Sequence, residues 1–185
     1  MKKIVLLLCA LFFSFYWADA QKSYFYLQHD GSFITSEGKN YVVVYFPDRT
    51  KNELYNQVLI NVSSIYVNPN SVISKIENEM ISINGYSSEF PGVTIKGILS
   101  GFYTAGATYT LKIFFKDGKI RIDAPQIISV GEANVTFNHW LNYHKIYKDY
   151  QPNPKHQYTI DHCNRHVNNL IHCILSFETK KNNDW

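Results

Sequence analysis

The fold is decided by residues 108–122, which read Thr-Tyr-Thr-Leu-Lys-Ile-Phe-Phe-Lys-Asp-Gly-Lys-Ile-Arg-Ile. Apolar and polar residues alternate on both sides of Asp117-Gly118, and a period of two is typical of a β-strand with one buried face. The Asp-Gly pair tolerates the positive φ angles of a tight hairpin turn. The segment therefore predicts two antiparallel strands, the second of which continues to Ile128.

Upstream of this hairpin the chain predicts a strand and then a helix. Residues 41–46 are β-branched or aromatic, and Pro47 ends the strand because it has no backbone donor. Thr50 and Glu53 have the spacing of a capping box, in which each side chain accepts a hydrogen bond from the backbone amide of the other residue. Apolar residues then recur at helical spacing as far as Asn68-Pro69-Asn70, namely Leu54, Val58, Val62 and Ile65.

A second hairpin is predicted between this helix and the Asp-Gly turn. Val72, Ile73 and Ile76 precede the polar residues 77–79, and Met80, Ile81 and Ile83 follow them. The four strands after the helix are therefore expected to form a meander. Residues 91–106 contain four glycines and are interpreted as either a long loop or an extra irregular strand.

The C-terminal third predicts a connection and a helix. Residues 129–157 show no dependable period, whereas residues 158–180 carry an apolar stripe through Cys163, Val167, Leu170, Ile174 and Phe177. The predicted fold class is α+β, in the order β-α-β-β-β-β-α, with a curved antiparallel sheet and both helices packed on one face. Residues 21–185 are expected to form a single domain with its core in residues 41–128.

The first twenty residues are interpreted as a cleavable export signal. Lys2 and Lys3 precede an apolar run over residues 4–17, and Ala18-Asp19-Ala20 places small residues where signal peptidase requires them, so cleavage is expected between Ala20 and Gln21. About 14 apolar residues are too few for the roughly 20 that span a bilayer. Lipidation at Cys9 is the less favoured alternative, because Leu8 is bulky. The mature protein is therefore expected in the periplasm or outside the cell, without a membrane-spanning segment.

The charge of the mature chain is nearly balanced. Removal of Lys2, Lys3 and Asp19 leaves 16 basic and 14 acidic side chains, a formal charge of +2. Proteins that bind nucleic acid through its phosphates need a much larger excess of positive charge. Nucleic acid is therefore not an expected partner.

Two segments resemble a known family. One begins at Pro47 with Pro-Asp-Arg-Thr-Lys-Asn-Glu-Leu-Tyr, and the other is the Lys-Asp-Gly-Lys-Ile-Arg hairpin that ends at Arg121. Over residues 41–128 the chain resembles the DUF4468 family of exported proteins from Bacteroidota. The resemblance implies a TBP-like fold and implies no reaction. Asn84-Gly85-Tyr86 departs from the Gly-Lys-Gly turn of the family, and residues 138–150 and the Cys/His-rich final helix are not family features.

The final helix contains the residue types that bind soft metals. His162 and His166 are one helical turn apart, so they could bind one zinc or copper ion together. Cys163 and Cys173 would lie about 15 Å apart along a helix, too far for a disulfide between them. Cys163 with His166 could also form a nucleophile and its base, but no third group that would orient them is identified. The favoured interpretation makes both cysteines small core residues, and no cofactor is expected.

An aromatic segment is the better indication of function. Trp140, Tyr143 and Tyr147 lie in a stretch of the kind that binds a protein or a glycan when it is exposed. The alternative is that the segment packs its rings over the sheet as a lid. The sequence therefore predicts a non-catalytic binding or assembly module of the cell envelope, whose partner is a protein or a glycan. A metal-binding or enzymatic protein centred on His162, Cys163 and His166 is the alternative.

Overall fold

The computed structural model describes residues 23–95 and 101–177. The N-terminal part contains β1 (Tyr26–Leu27), β2 (Phe33–Ile34), β3 (Tyr41–Tyr45), α1 (Lys51–Ile65) and α2 (Pro69–Val72). The strands that follow are β4 (Ile73–Ile76), β5 (Met80–Ser87), β6 (Gly92–Ile95), β7 (Gly101–Thr104), β8 (Ala107–Lys116), β9 (Lys119–Asp123) and β10 (Gln126–Val130). The C-terminal part contains α3 (Phe137–Tyr143), β11 (Tyr147–Lys148), β12 (Gln151–Pro152), a 3-10 turn (Pro154–His156) and α4 (Gln157–Ile174).

The main sheet has six strands and is antiparallel. Its order is β3-β9-β8-β5-β4, and β10 pairs with β8 next to the end of β9. Strands β4, β5, β8 and β9 lie side by side in the order in which they occur along the chain, so the predicted meander is confirmed, with β6 and β7 inserted between β5 and β8. The turn between β8 and β9 is Asp117-Gly118, with Gly118 at φ +72°. The predicted α+β class with a mostly antiparallel sheet is also confirmed.

Both long helices lie on one face of this sheet. Strand β8 buries every second side chain from Ala107 to Phe115. On that face the ring of Tyr55, from α1, meets the ring of Phe115 edge to face at 5.4 Å. Ser87 at the end of β5 is hydrogen-bonded to His166 of α4 at 3.0 Å. The core therefore sits between the helices and the inner face of the sheet, as predicted.

The capping box at the start of α1 is confirmed. Oγ1 of Thr50 accepts from the Glu53 amide at 3.3 Å, and the Thr50 amide donates to Oε2 of Glu53 at 2.9 Å. The next amide, that of Lys51, donates to Oδ1 of Asp117 at 2.7 Å. The hairpin turn that decides the sheet therefore also holds the first turn of the helix.

Two predictions about strands need correction. The strand expected over residues 119–128 is two strands, β9 and β10, which pair in turn with β8, and the break falls at Pro125, which has no amide to donate. Residues 91–106, for which two interpretations were left open, contain the antiparallel ribbon of β6 and β7, paired from Gly92↔Thr104 to Ile95↔Gly101. Residues 96–100 lie outside the described residues.

Two predictions about the C-terminal third are also corrected. The expected connection over residues 129–157 contains α3, which Thr136 caps by accepting from the His139 amide at 3.2 Å. The last helix ends at Ile174 instead of continuing to 180. Beyond it the ring of Phe177 packs against that of Phe46 at 4.5 Å, a contact that draws the chain out of the helical path. Residues 178–180 lie outside the described residues.

The N-terminal segment is fastened to α4 by asparagine side chains. Oδ1 of Asn168 accepts from the amides of Tyr24 and Phe25 at 2.6 and 3.0 Å, and its Nδ2 donates to the Phe25 carbonyl at 2.8 Å. Oδ1 of Asn164 accepts from the Leu27 amide at 2.7 Å. The side chains of α4 thus take the place of a neighbouring strand. The export signal and the Ala20-Gln21 bond lie outside the described residues.

Candidate functional site

The outer face of the sheet is the face opposite α1 and α4. Because side chains alternate along each strand, the residues that do not contribute to the core point to this face. A depression of about 840 Å³ lies on it at the β3, β9 and β8 side of the sheet. Its lining is aromatic and basic, and includes Tyr41, Tyr45, Phe114, Lys116, Lys119 and Arg121.

Arg121 is held at the centre of this depression. The register of β9 places it beside Val43 of β3 and Phe114 of β8. Its guanidinium carbon lies 4.3 Å from the ring centre of Tyr41 and 5.7 Å from that of Phe114, within the range of a cation–π interaction. Its Nε donates to Oδ1 of Asp123 at 2.8 Å. The side chain is 49% exposed, and this bond leaves the donors of its two terminal nitrogens for a ligand.

The charge of the depression is positive. Its lining has four basic side chains, those of Lys51, Lys116, Lys119 and Arg121, against the two carboxylates of Glu79 and Asp117. Residues 23–95 and 101–177 together contain 12 basic and 12 acidic side chains. The positive charge of the depression is therefore a local excess within a described chain whose charges balance.

These residues were not identified as a site from the sequence. The signal was present in the alternation of residues 119–123, which puts Lys119, Arg121 and Asp123 on the polar side of their strand. The alternation does not show which strand pairs with β9. That strand is β3, about 80 positions earlier in the chain, and the pairing brings Tyr41 next to Arg121.

The predicted aromatic site is not one exposed surface. Trp140 is buried and packs between Phe137 and His144, with ring distances of 6.1 and 4.7 Å. The hydroxyl of Tyr147 donates to the Leu27 carbonyl at 2.9 Å, and burial raises the pKa of Tyr147 to about 12. Tyr143, in contrast, is 75% exposed. The exposure expected of Trp140 is therefore wrong, because its indole fills the space between α3 and the rest of the core.

The predicted metal pair is engaged in protein contacts. Nε2 of His162 lies 2.8 Å from the Glu89 carbonyl oxygen, and Nε2 of His166 lies 3.0 Å from Oγ of Ser87. The two rings are 6.2 Å apart, and His166 also stacks on Phe90 at 5.3 Å. Within residues 23–95 and 101–177 no group of three His, Cys, Asp or Glu side chains is arranged to hold a metal ion. The two histidines fasten residues 87–90 to α4.

The structure places Cys163 and Cys173 ten residues apart on α4, a helical spacing that is too long for a disulfide between them. The prediction that both are core residues is confirmed for Cys163 and is wrong for Cys173. Cys163 is buried, and burial raises the pKa of its thiol to about 12, although a hydrogen bond with the backbone of Gly92 lowers it in part. A buried neutral thiol is a poor nucleophile, because the thiolate is the reactive form. Cys163 is placed as a core residue, and Cys173 is exposed.

The chain is similar to two solved structures. One is a TBP-like protein from Parabacteroides distasonis, with 13% identity and a TM-score of 0.44 over 75% of this chain and 92% of that chain. The other is a DUF4468 family protein from Bacteroides ovatus, with 9% identity and a TM-score of 0.45 over 76% of this chain and 87% of that chain. No protein-family model and no curated protein matches the chain.

The described part of the chain contains four α-helices, α1 to α4. None of them, within the part of the chain that the structure describes, is long and apolar enough to cross a membrane.

Proposed function

We propose that the chain is a non-catalytic binding or assembly module of the cell envelope, and that it binds its partner through the outer face of the sheet. The observation that carries this proposal is the depression around Arg121, which the core does not use and which combines aromatic rings with excess positive charge. Placement in the envelope rests on the export signal in residues 1–20.

The composition of the outer face supports a binding role. Tyr, Phe, Met and Arg are enriched in protein interfaces, and Tyr and Arg supply many of the residues on which affinity depends. Tyr45 is 69% exposed, and Tyr86 on β5 is 62% exposed. The side chain of Arg121 is already held by two neighbouring aromatic rings and by the carboxylate of Asp123, so little side-chain entropy is lost when a ligand binds it.

The alternative centre at His162, Cys163 and His166 has less support. Both imidazoles use Nε2 in contacts with residues 87–89, and the thiol of Cys163 is buried and neutral. A metal-binding or catalytic role would require these contacts to break. We therefore do not assign a reaction to this segment.

Site-specific photo-crosslinking tests the binding surface. A photoreactive phenylalanine derivative replaces Tyr45 on the outer face, and in a matched control it replaces Ile60, which is 63% exposed on α1. In cells that export the protein, the Tyr45 position should yield an adduct of discrete mass that the Ile60 position does not. Adducts of equal yield from both positions, or from Ile60 alone, would contradict the proposal.

The same cells test the location. The periplasmic fraction or the medium should contain the protein with Gln21 as its first residue, as measured by intact mass. A full-length chain retained in the cytoplasm would contradict the envelope assignment. Enzymatic turnover that depended on a named side chain of this protein would contradict the non-catalytic assignment.

A further inference from the structure

The guanidinium of Arg121 has the form of a receptor for a planar anion. Two parallel N–H groups of arginine match the two oxygens of a carboxylate or a phosphate, and such bonds are about twice as strong as neutral hydrogen bonds. In this chain Nε is bonded to Asp123, so the edge formed by the two terminal nitrogens is the one open to a ligand. The rings of Tyr41 and Phe114 fix the plane in which that edge lies.

The surroundings of Arg121 favour a partner that carries more than one negative charge. Lys116 and Lys119 line the same depression, and Lys112 lies on the same face of β8. In the described part of the chain these lysines take part in no ion pair, unlike Lys39 with Glu37. Their charges are therefore available to a partner, and complementary charge would guide its approach.

The face is less suited to a phosphate polymer than to carboxylates. Nε of Arg121 lies 2.8 Å from Oδ1 of Asp123, and the carboxylates of Glu79 and Asp117 line the depression. A duplex nucleic acid, with a charge about every 1.7 Å along its axis, would meet these three fixed carboxylates, whereas a peptide can place uncharged residues opposite them. Proteins that bind nucleic acid neutralise many phosphates at once, which the low net charge of this chain does not permit.

The face is also less suited to a glycan. Sugars bind aromatic side chains by stacking on the faces of the rings, but two rings of the lining, those of Tyr41 and Phe114, already contact the guanidinium. Tyr45 also lines the depression and is exposed, and with Tyr86 and Ile76 it forms the mixture of aromatic and apolar residues that is typical of protein interfaces.

We infer that the outer face binds a protein segment rich in Asp and Glu, one of whose carboxylates pairs with the terminal nitrogens of Arg121 while its neighbours approach Lys116 and Lys119. This inference rests on the proposed function and names the class of its partner. Arg121 is the residue that sets specificity for the carboxylate, because a lysine at this position would keep the charge and lose the two parallel donors.

A short poly-L-glutamate peptide is the probe for this inference, and binding is measured by isothermal titration calorimetry. Arg121→Lys should weaken binding about tenfold, or about 1.4 kcal/mol, because lysine keeps the charge and loses one of the two parallel charge-assisted hydrogen bonds. The matched control is Arg165→Lys, an exposed arginine on α4, which should leave the affinity unchanged. Affinity should also fall with added salt. Thermal unfolding of each variant shows that the fold is kept, and Lys119→Gln provides a second, weaker variant.

Three results would overturn the inference. The first is equal affinity of wild type and Arg121→Lys for poly-L-glutamate, which would mean that the guanidinium does not specifically recognise the carboxylate. The second is tighter, Arg121-dependent binding of polygalacturonate, which would make the partner a glycan. The third is tighter, Arg121-dependent binding of single-stranded DNA, which would make phosphate the ligand.

The inference and the proposed function can fail separately. If photo-crosslinking from Tyr45 yields a discrete adduct but poly-L-glutamate does not bind, the outer face is the binding surface and the class of partner is wrong. If poly-L-glutamate binds through Arg121 but crosslinking is equal from Tyr45 and Ile60, the anion receptor exists and the proposed function is wrong.

Discussion

The attachment of the N-terminal segment to α4 should depend on the side chain of Asn168. It is buried, and its amide group makes hydrogen bonds to the backbone of Tyr24, Phe25 and Asn164. Asn168→Ala would remove the hydrogen bonds that its side chain makes to two amides and one carbonyl of the segment, and a buried group left unsatisfied costs about 1–3 kcal/mol. Part of this cost is avoided if residues 24–27 detach from α4 and become hydrated.

We therefore expect Asn168→Ala to lower the free energy of unfolding by about 3 kcal/mol. For a domain of this size each kcal/mol corresponds to about 2–4 °C in Tm, so Tm should fall by about 6–12 °C. The assay is denaturant unfolding together with amide hydrogen exchange. Exchange should become faster at Tyr24, Phe25 and Leu27, while the amides of β8 stay protected in the native state.

The neighbouring Asn169 is exposed and provides the control. Asn169→Ala removes the same side chain from the same helix, so any effect of helix propensity is shared by the two variants. Asn168→Asp is a second test: it keeps the shape and the acceptors, but it places an oxygen where Nδ2 now donates to the Phe25 carbonyl at 2.8 Å. If Asn168→Ala lowers stability by no more than Asn169→Ala does, these hydrogen bonds do not hold the segment and the reasoning is refuted.

Two further predictions concern α4. In native buffer a thiol-alkylating reagent should modify exposed Cys173 and leave Cys163 unmodified. Cys163 should react only in denaturant, because burial raises the pKa of its thiol to about 12. Peptide mapping measures the modification of each cysteine, and rapid labelling of Cys163 in native buffer would contradict its place in the core. Burial, and secondly the charge of His162, lower the pKa of His166 below its ordinary value of 6.5, so the folded protein binds this proton more weakly than the unfolded chain does. The stability due to neutral His166 is therefore present above about pH 6.5 and is lost as the pH falls through the lowered pKa. His166→Gln should reduce this acid loss in denaturant titrations at several pH values, whereas His139→Gln, a change at an exposed position, should not; equal pH dependence in both variants would contradict the assignment.

Sequence patterns predicted the elements whose stability depends on residues close to one another in the chain. The capping box at Thr50 and Glu53 predicted the start of α1, and both of its hydrogen bonds are present. The alternation of residues 108–115 around Leu111 and Ile113 predicted which side chains of β8 are buried, because every second side chain of a strand faces the core. The Asp117-Gly118 turn then fixed the register of the hairpin.

The elements that were not predicted depend on contacts distant in sequence. The end of α4 at Ile174 reflects the contact of Phe177 with Phe46, about 130 positions away. Strand β1 has only two residues. It pairs with β2, and the amides of Leu27 and of the preceding Tyr24 and Phe25 donate to Asn side chains of α4. The helix α3 did carry a local signal, since Thr136 is an N-cap and Phe137, Trp140 and Leu141 share one face, but seven residues are too short for a period to stand out.

The candidate site shows the same division between local and distant information. Alternation within β9 turns Ile120 and Ile122 to the core and Arg121 away from it, so the sequence contained the outward position of the arginine. Its aromatic neighbours come from β3 and β8, and only the folded sheet brings Tyr41 within 4.3 Å of the guanidinium. The inner residues of these strands account for the core without Arg121, and a surface ion pair such as Arg121 with Asp123 contributes at most about 1 kcal/mol to stability. Substitution of Arg121 should therefore alter binding of the partner far more than it alters the free energy of unfolding. A residue with a purely structural role would not show this difference between the two effects.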